Sequence, residues 1–220
     1  PWAEWTCATL EAAALLGLGH VEAAHALATD ADRHFEELDE PWGLALSRVV
    51  RAQAARAAGD LDEARATLRG AIASNRLLPH VGEDARLLTE LARVELDAGN
   101  LEEAEHQARA ALALVRAGIG DHESGLRSIL VLAEVERARG NIEGAELHLE
   151  EATEPRQPED RTDGWRQAAV ALARVRADAG DLARARLLVE RCEDPPTEDR
   201  RLLDDLAELH VRLDAGCSSP

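Results

Sequence analysis

Eight histidines and three cysteines are the side chains in this sequence that would first suggest metal or nucleophilic chemistry. No histidine stands in an HExxH motif, and no histidine or cysteine falls in a group with zinc-ligand spacing. His20 and His25 are five residues apart, which places them on different faces of a helix. We therefore expect neither a bound metal nor a cofactor.

Glycine and carboxylate patterns give no stronger sign of catalysis. GLGH at 17–20 and GIGD at 118–121 resemble pieces of a phosphate-binding loop, but neither continues to the further glycine or the Lys-Ser/Thr that such loops need. Carboxylates are abundant, as in LEEAE at 101–105, yet acid–base pairs need a pocket that separates their pKa values. We expect the glycines to end helices, the carboxylates to be solvated, and the chain not to be an enzyme.

The charge balance limits the classes of partner. The chain has 43 acidic and 25 basic residues, a net charge of −18, which argues against binding to nucleic-acid phosphates. All the basic residues are arginines, which is typical of a GC-rich genome; salt adaptation is the alternative explanation. No methionine occurs, which is expected of a piece of a longer protein. An odd number of cysteines, no basic leader and no apolar span predict a cytoplasmic location and no membrane contact.

A short phrase with a central glycine returns about every 40 residues. Its copies are LGHVEAAH at 18–25, AGDLDEAR at 58–65, AGNLEEAE at 98–105, RGNIEGAE at 139–146 and AGDLARAR at 179–186, and DAG at 214–216 begins another. The phrase glycines are Gly19, Gly59, Gly99, Gly140, Gly180 and Gly216. A fixed period of this length predicts a solenoid of stacked helical hairpins, and it favours binding over catalysis.

Each phrase predicts a turn between a helix A and a following helix B. Glycine suits the left-handed position just after a helix because it has no Cβ to clash. The residue after the glycine is expected to cap helix B with its side chain in four copies: Asp60, Asn100, Asn141 and Asp181. Glu63 and Glu103 stand three positions later and predict capping boxes.

Small residues recur in the same register and predict close helix contacts. Alanine stands seven residues before and five after the first five phrase glycines, and a small residue stands twelve after them. These positions are Ala12, Ala52, Ala92, Ala133 and Ala173; Ala24, Ala64, Ala104, Ala145 and Ala185; and Ala31, Ala71, Ala111, Ala152 and Cys192. An aliphatic residue two after the glycine is expected to fill the seam: Val21, Leu61, Leu101, Ile142 and Leu182.

The phrases divide the chain into five hairpins and one further helix in a single domain, residues 1–216. The expected repeats are residues 2–38, 42–78, 83–117, 122–152 and 163–192, followed by a last helix at 197–215 and a tail at 217–220. The last helix has two interpretations, a natural cap with a polar outer face or a boundary inside a repeat.

These hairpins resemble the tetratricopeptide repeat (TPR), which has a small residue on helix A, a Gly-Asp/Asn turn and two alanines on helix B. The period here is about 40 residues instead of about 34, and Glu95, Glu136 and Arg176 stand where a tyrosine is common. Long, aromatic-poor repeats, with Trp42 and Trp165 near the starts of two helices A, resemble the MalT-like repeats of large bacterial regulators of the LuxR, SARP and STAND types. The resemblance implies an all-α solenoid, coiled as a right-handed superhelix.

The resemblance also implies that helices A line a concave groove, with ligand contacts six and three residues before each turn glycine. The expected partner-binding residues are Gln53, Arg56, Arg93, Glu134, Arg137 and Arg174. Four of these are arginines, which would suit an acidic protein or peptide, or a small acidic effector. Alternatively, the arginines pair with Glu95, Glu134 or Asp97 and only solubilise the face.

The leading hypothesis is therefore a non-catalytic protein-interaction or effector-sensing module of a larger bacterial transcriptional or signal-transduction regulator. The alternative is a scaffold or substrate-recruiting arm of a multidomain enzyme or effector, such as a repeat-linked protease.

Overall fold

A computed structural model of the chain describes residues 2–75, 83–154, 162–193 and 200–216. These residues form eleven α-helices and no strand, which confirms the predicted all-α class. The helices are α1 (Trp2–Gly17), α2 (Val21–Glu37), α3 (Pro41–Ala58), α4 (Leu61–Asn75), α5 (Asp84–Asp97), α6 (Leu101–Arg116), α7 (His122–Ala138), α8 (Ile142–Ala152), α9 (Asp163–Asp178), α10 (Leu182–Glu193) and α11 (Arg200–Gly216). The predicted helix end at 76–78, the start of the last helix at 197–199 and the tail at 217–220 lie outside the described residues.

The chain forms two compact units, residues 1–131 and 132–220. In the first unit, α2 packs against α1 and α3, and α4 packs against α3 and α5, so each of these helices B is shared by two helices A. Helices A also contact one another, α1 with α3 and α3 with α5. In the second unit, α9 packs against α8, α10 and α11. Stacking of hairpins on their neighbours, as a repeat fold requires, is present in both units.

Five hairpin turns share one hydrogen-bonded geometry. Their glycines have φ between 76° and 85°: Gly19, Gly59, Gly99, Gly140 and Gly180. In the turn from α3 to α4, Gly59 N donates to Arg56 O at 3.0 Å and Asp60 N donates to Ala55 O at 2.9 Å. This pair of bonds is the Schellman motif, and the other four turns contain the same pair. The predicted left-handed glycines are confirmed.

The predicted capping boxes are wrong, and the turns explain why. The residue after each glycine already donates its N–H back to helix A, so the glutamate three positions later has no free donor to accept from. Glu63 lies instead 3.0 Å from His25 Nε2, and Glu103 accepts from Gln107 Nε2 at 2.6 Å.

Three of the four predicted side-chain caps form. Asp60, Asn141 and Asp181 each accept from the amide three residues later, at 3.0, 3.0 and 3.2 Å. The predicted cap at Asn100 is wrong: its side chain accepts no hydrogen bond from the helix end, and its Nδ2 donates at 2.8 Å to the carboxylate of Glu95.

The three ladders of small residues are buried throughout. All fifteen of their side chains are at most 3 % exposed, so each sits where two helices approach closely. The expected aliphatic seam is only partly correct. Val21, Leu61, Leu101 and Leu182 are half-buried, whereas Ile142 is 49 % exposed. The small residues therefore hold the hairpins together more than the aliphatic residue beside the turn does.

An ion-pair cluster occupies one of the positions where a tyrosine is common. Glu95 on α5 is buried, and its carboxylate accepts from Arg65 Nε at 2.8 Å and from Arg65 Nη2 at 3.1 Å. Arg69 Nη2 adds a third bond at 3.1 Å. Both arginines belong to α4, so this cluster fastens helix B of one repeat to helix A of the next.

The second unit contains the same clamp with its charges reversed. Arg176 on α9 lies 3.3 Å from Glu146 Oε1 and also pairs with Glu150, and both glutamates belong to α8. Arg176 and Glu95 each stand four residues before a turn glycine, and in both clamps the partners stand six and ten residues after the preceding turn glycine. The two seams are thus equivalent in position and opposite in sign.

Candidate protein-interaction cleft

Helices A of the second unit border an open cleft of ≈400 Å³, the A-face cleft. Three of the predicted binding residues, Glu134, Arg137 and Arg174, line it together. They stand six and three residues before Gly140, and six before Gly180, so the register inferred from the turns places them on one surface. The other lining residues are Ala133, Ala145, Leu149, Ala171, Val175, Asp178, Glu208 and Arg212.

The A-face cleft has an apolar floor and a charged rim. Ala133, Ala145 and Leu149 are buried, and Ala171 and Val175 are half-buried. The charged side chains come from α7, α9 and α11 and surround this floor. An apolar centre inside a polar rim is the usual anatomy of a protein-interaction surface.

Each guanidinium on the rim has a carboxylate partner. Arg137 Nη2 lies 2.7 Å from Glu134 Oε2, one helical turn away on α7. Arg174 Nη2 lies 2.8 Å from Asp205 Oδ1 and 3.3 Å from Glu208 Oε2, both on α11. The rim therefore carries both positive and negative charge.

The ion pair between Arg137 and Glu134 lies at the surface, and this decides how it responds to a partner. The side chains of Arg137 and Glu134 are 59 % and 42 % exposed. Exposed pairs contribute about 0–1 kcal/mol each, because water screens the charges and the side chains lose entropy. A partner carboxylate could replace Glu134 as the acceptor for Arg137 at little cost. The alternative interpretation of the arginines, pairing within the chain, is thus compatible with binding.

The other predicted binding residues lie in the first unit. Gln53 and Arg56 are half-buried on α3, and Arg93 is half-buried on α5. Arg56 Nη1 lies 2.7 Å from Asp97 Oδ2, so α3 and α5 are joined at this position. A single stripe that runs through all six predicted residues stays a prediction.

Sequence reasoning missed the part of the cleft that α11 contributes. Asp205, Glu208 and Arg212 are spaced three and four residues apart, which places them on one face of that helix. Arg212 also pairs with Asp178, which stands at the end of α9. The spacing of charges along α11 was the available signal, but their partners are more than 30 residues away in sequence.

Within the described residues, no three His, Cys, Asp or Glu side chains come together in a way that could hold a metal ion. Nor is any helix in that part of the chain long and apolar enough to cross a membrane.

A comparison with protein families identifies the repeat. The family of the MalT-like TPR region matches residues 3–217. This chain belongs to that family. TPR arrays generally bind protein partners through their helical faces, and they are typically non-catalytic scaffolds. No curated protein matches the chain.

Several solved structures have a similar fold, and three of them each cover most of this chain. BtubC (BKLC) from P. vanneervenii has a TM-score of 0.72 at 20 % identity, covering 89 % of this chain and 82 % of its own. A structure of nearly identical TPR-like repeats, from a candidate kinesin light chain of Podospora anserina, has a TM-score of 0.60 at 22 % identity. The match covers 86 % of this chain and 92 % of that one. PilF of Pseudomonas aeruginosa has a TM-score of 0.62 at 17 % identity, and the match covers 98 % of this chain and 89 % of that one. At these identities the likeness concerns the fold.

Proposed function

We propose that this MalT-like TPR array is a protein-interaction or effector-sensing module of a larger bacterial transcriptional or signal-transduction regulator in the cytoplasm. One repeat domain, residues 1–216, carries this role, and it binds an acidic protein segment or a small acidic effector through helices A. Gln53, Arg56, Arg93, Glu134, Arg137 and Arg174 are the proposed contact residues.

The A-face cleft is the observation that supports this proposal. Arg137, Arg174 and Arg212 surround an apolar floor, and a planar guanidinium binds a carboxylate through two parallel hydrogen bonds. Such a site selects a partner mainly by charge, and Ala171 and Val175 are the floor residues that still offer apolar surface to it. Because the rim is exposed, affinity for the partner is expected to fall as salt is added.

The test is a charge reversal in the cleft. The partner is first captured from bacterial cytosol with the intact chain, and its affinity is then measured by calorimetry for the chain and for the double variant Arg137→Glu, Arg174→Glu. Arginine anchors at interfaces can contribute about 2 kcal/mol or more each, and about 1.4 kcal/mol corresponds to tenfold in affinity. We expect the double variant to bind at least about tenfold more weakly.

A matched control reverses two arginines outside this cleft. Arg109 on α6 pairs with Glu105 one turn earlier, and Arg184 on α10 pairs with the cap residue Asp181. The control double variant Arg109→Glu, Arg184→Glu changes the net charge by the same amount as the cleft variant does. The control variant should bind as the original chain does. Equal affinity of the cleft variant and the original chain would contradict the proposal.

A further inference from the structure

The first helix exposes a surface whose equivalent on the next helix A, α3, is buried. Ala3, Cys7, Leu10 and Ala14 recur at the spacing of one helical face on α1, and all four are exposed, Leu10 by 58 %. We call these four residues the α1 stripe. They stand 16, 12, 9 and 5 residues before Gly19. Exposed aliphatic side chains that line up along a helix mark an interaction surface.

The same register on α3 shows what such a stripe is for. Its residues there are Gly43, Ser47, Val50 and Ala54, and all four are buried. On α5 the last three positions, Leu87, Glu90 and Val94, are buried as well. Helices α3 and α5 pack against the preceding helices B, α2 and α4.

The α1 stripe copies the α3 stripe in size, position by position. Both helices have a small residue at the first and last positions. The second position is Cys on α1 and Ser on α3, and the third is Leu on α1 and Val on α3, so the two surfaces have nearly the same shape. The tryptophans also match, because Trp2 and Trp42 both stand 17 residues before a turn glycine. Their rings lie 6.0 Å apart and both are about half exposed, which adds an aromatic anchor at one end of the stripe.

Charge distinguishes the two stripes. On α3, Arg48 and Arg51 reach Asp32 of the covering helix α2, with Arg48 Nε 3.2 Å from its Oδ1. The residues of α1 in the same register are Ala8 and Glu11, so one cation is missing there and an acid replaces the other. Helix α1 has no basic residue at all. A helix that complements α1 therefore needs a cation where α2 has Asp32.

We infer that the α1 stripe is a docking surface for a partner amphipathic helix that resembles α2, with a small apolar face and a basic residue at the position of Asp32. The helix lies on α1 as α2 lies on α3. It differs from α2 at one further position. The Phe35 ring occupies the space where a Cβ of Gly43 would be, and α1 has the methyl group of Ala3 there. The partner helix carries a smaller side chain than phenylalanine at that point.

The probe for this inference is a synthetic peptide of residues 21–37 with Asp32→Arg and Phe35→Leu. A staple between positions 26 and 30, which are exposed on α2, holds it helical, because a free peptide of this length is only marginally helical. The matched control peptide retains Asp32. Fluorescence anisotropy of the labelled peptides measures binding to the whole chain. We expect the arginine peptide to bind at least about fivefold more tightly than the control, since a surface charge pair contributes up to about 1 kcal/mol.

Variants of the chain locate the binding surface. Leu10→Glu should weaken binding of the arginine peptide at least about tenfold without unfolding the chain, because Leu10 is exposed. Glu11→Arg should reverse the preference between the two peptides. The control Leu147→Glu changes an exposed leucine on α8 and should leave binding as it is.

Three results would overturn the inference. They are no measurable binding of either peptide, equal binding to the chain and to its Leu10→Glu variant, and a dimer of the chain in sedimentation that Leu10→Glu dissociates. The last result would assign the stripe to a second copy of the chain.

Discussion

Two buried carboxylates of the first unit respond to their surroundings in opposite ways. Burial raises the pKa of Glu95, but hydrogen bonds from Arg65 and Asn100 and the charges of Arg65 and Arg69 outweigh it, so the pKa lies below its ordinary value of 4.5. Burial also raises the pKa of Asp32, and there Arg51 and Arg48 do not compensate fully, so the pKa lies above 3.8. The balance between burial and the neighbouring charges and hydrogen-bond donors therefore decides the sign of each shift.

Glu95→Gln should destabilise the first unit in a pH-dependent way. A depressed pKa means that Glu95 adds stability above its unfolded pKa, and that this stability is lost as the pH falls through the folded value. At pH 7 we expect the variant to lose about 1.5–3 kcal/mol, the usual range for hydrogen bonds to charged groups. Urea unfolding at several pH values between 7 and 3 should show the difference from the original chain shrinking toward the acidic end.

Asp32→Asn is the matched comparison for this experiment. A raised pKa gives stability that is present below the unfolded pKa and is lost as the pH rises through the folded value. The stability of the original chain relative to this variant should therefore decrease with rising pH, opposite to the trend for Glu95→Gln. Parallel trends in the two variants would show that the carboxylates do not differ as described.

The alanine ladders predict where a larger side chain cannot fit. Ala104 on α6 is fully buried, whereas Ala113 on the same helix is exposed. Overpacking a core position costs about 1–3 kcal/mol, so Ala104→Leu should lower the melting temperature clearly and Ala113→Leu should leave it nearly unchanged. Ala113 is a better control than Ala177, three residues before Gly180, because Ala177 is half-buried. Equal melting temperatures for the two variants would contradict the register.

At the scale of helices, the parts that sequence predicts are those that backbone geometry dictates. Gly59 and its equivalents require a left-handed turn, and the alanines on either side mark the helix contacts. The capping boxes were predicted wrongly because the N–H of the residue after each turn glycine can bond either to the glutamate three positions later or back to helix A. In the turns it donates to helix A. The clamp around Glu95 could not be predicted, since long arginine side chains choose among many carboxylates and the three-dimensional neighbours decide.

The two reversed clamps can be tested by exchanging their charges. Glu95→Arg should place three cations together and cost about 3–5 kcal/mol, as breaking a buried pair does. Adding Arg65→Glu and Arg69→Glu recreates the arrangement seen around Arg176, and it should restore at least about half of the lost stability. Urea unfolding of the single, double and triple variants gives the coupling energy.

Additive effects in this series would mean that the side chains stabilise their own helices and not the seam. The mirror series at the second clamp is Arg176→Glu with Glu146→Arg and Glu150→Arg. Its stability losses and their recovery should follow the same pattern as in the Glu95 series.

At the scale of the molecule, the acidic excess is spread over its surface. Carboxylates outnumber arginines by 18, so after arginines such as Arg65, Arg137 and Arg174 have found partners, many acids still face solvent. Large net charge opposes self-association and repels phosphate backbones. A protein partner that docks on this array must therefore bring its own positive charge or bind at a local cluster of arginines.

The fold should not depend on a metal ion. Its stability is explained by the ladders and the clamps, and the described residues bring no metal-ligand group together. Excess chelator should leave the helical circular dichroism and the melting temperature unchanged, whereas metal-dependent domains unfold under such treatment. A large loss of helical signal would contradict this account.

The opposed clamps also bear on how such an array can change in evolution. Recombination between similar repeats can delete or copy whole hairpins. Joining α4 directly to α9 would place Arg65 and Arg69 against Arg176, and joining α8 to α5 would gather three glutamates. Both products would bury like charges in a seam. The ion pairs therefore disfavour these two rearrangements, so the hairpins on either side of the clamps are not interchangeable modules.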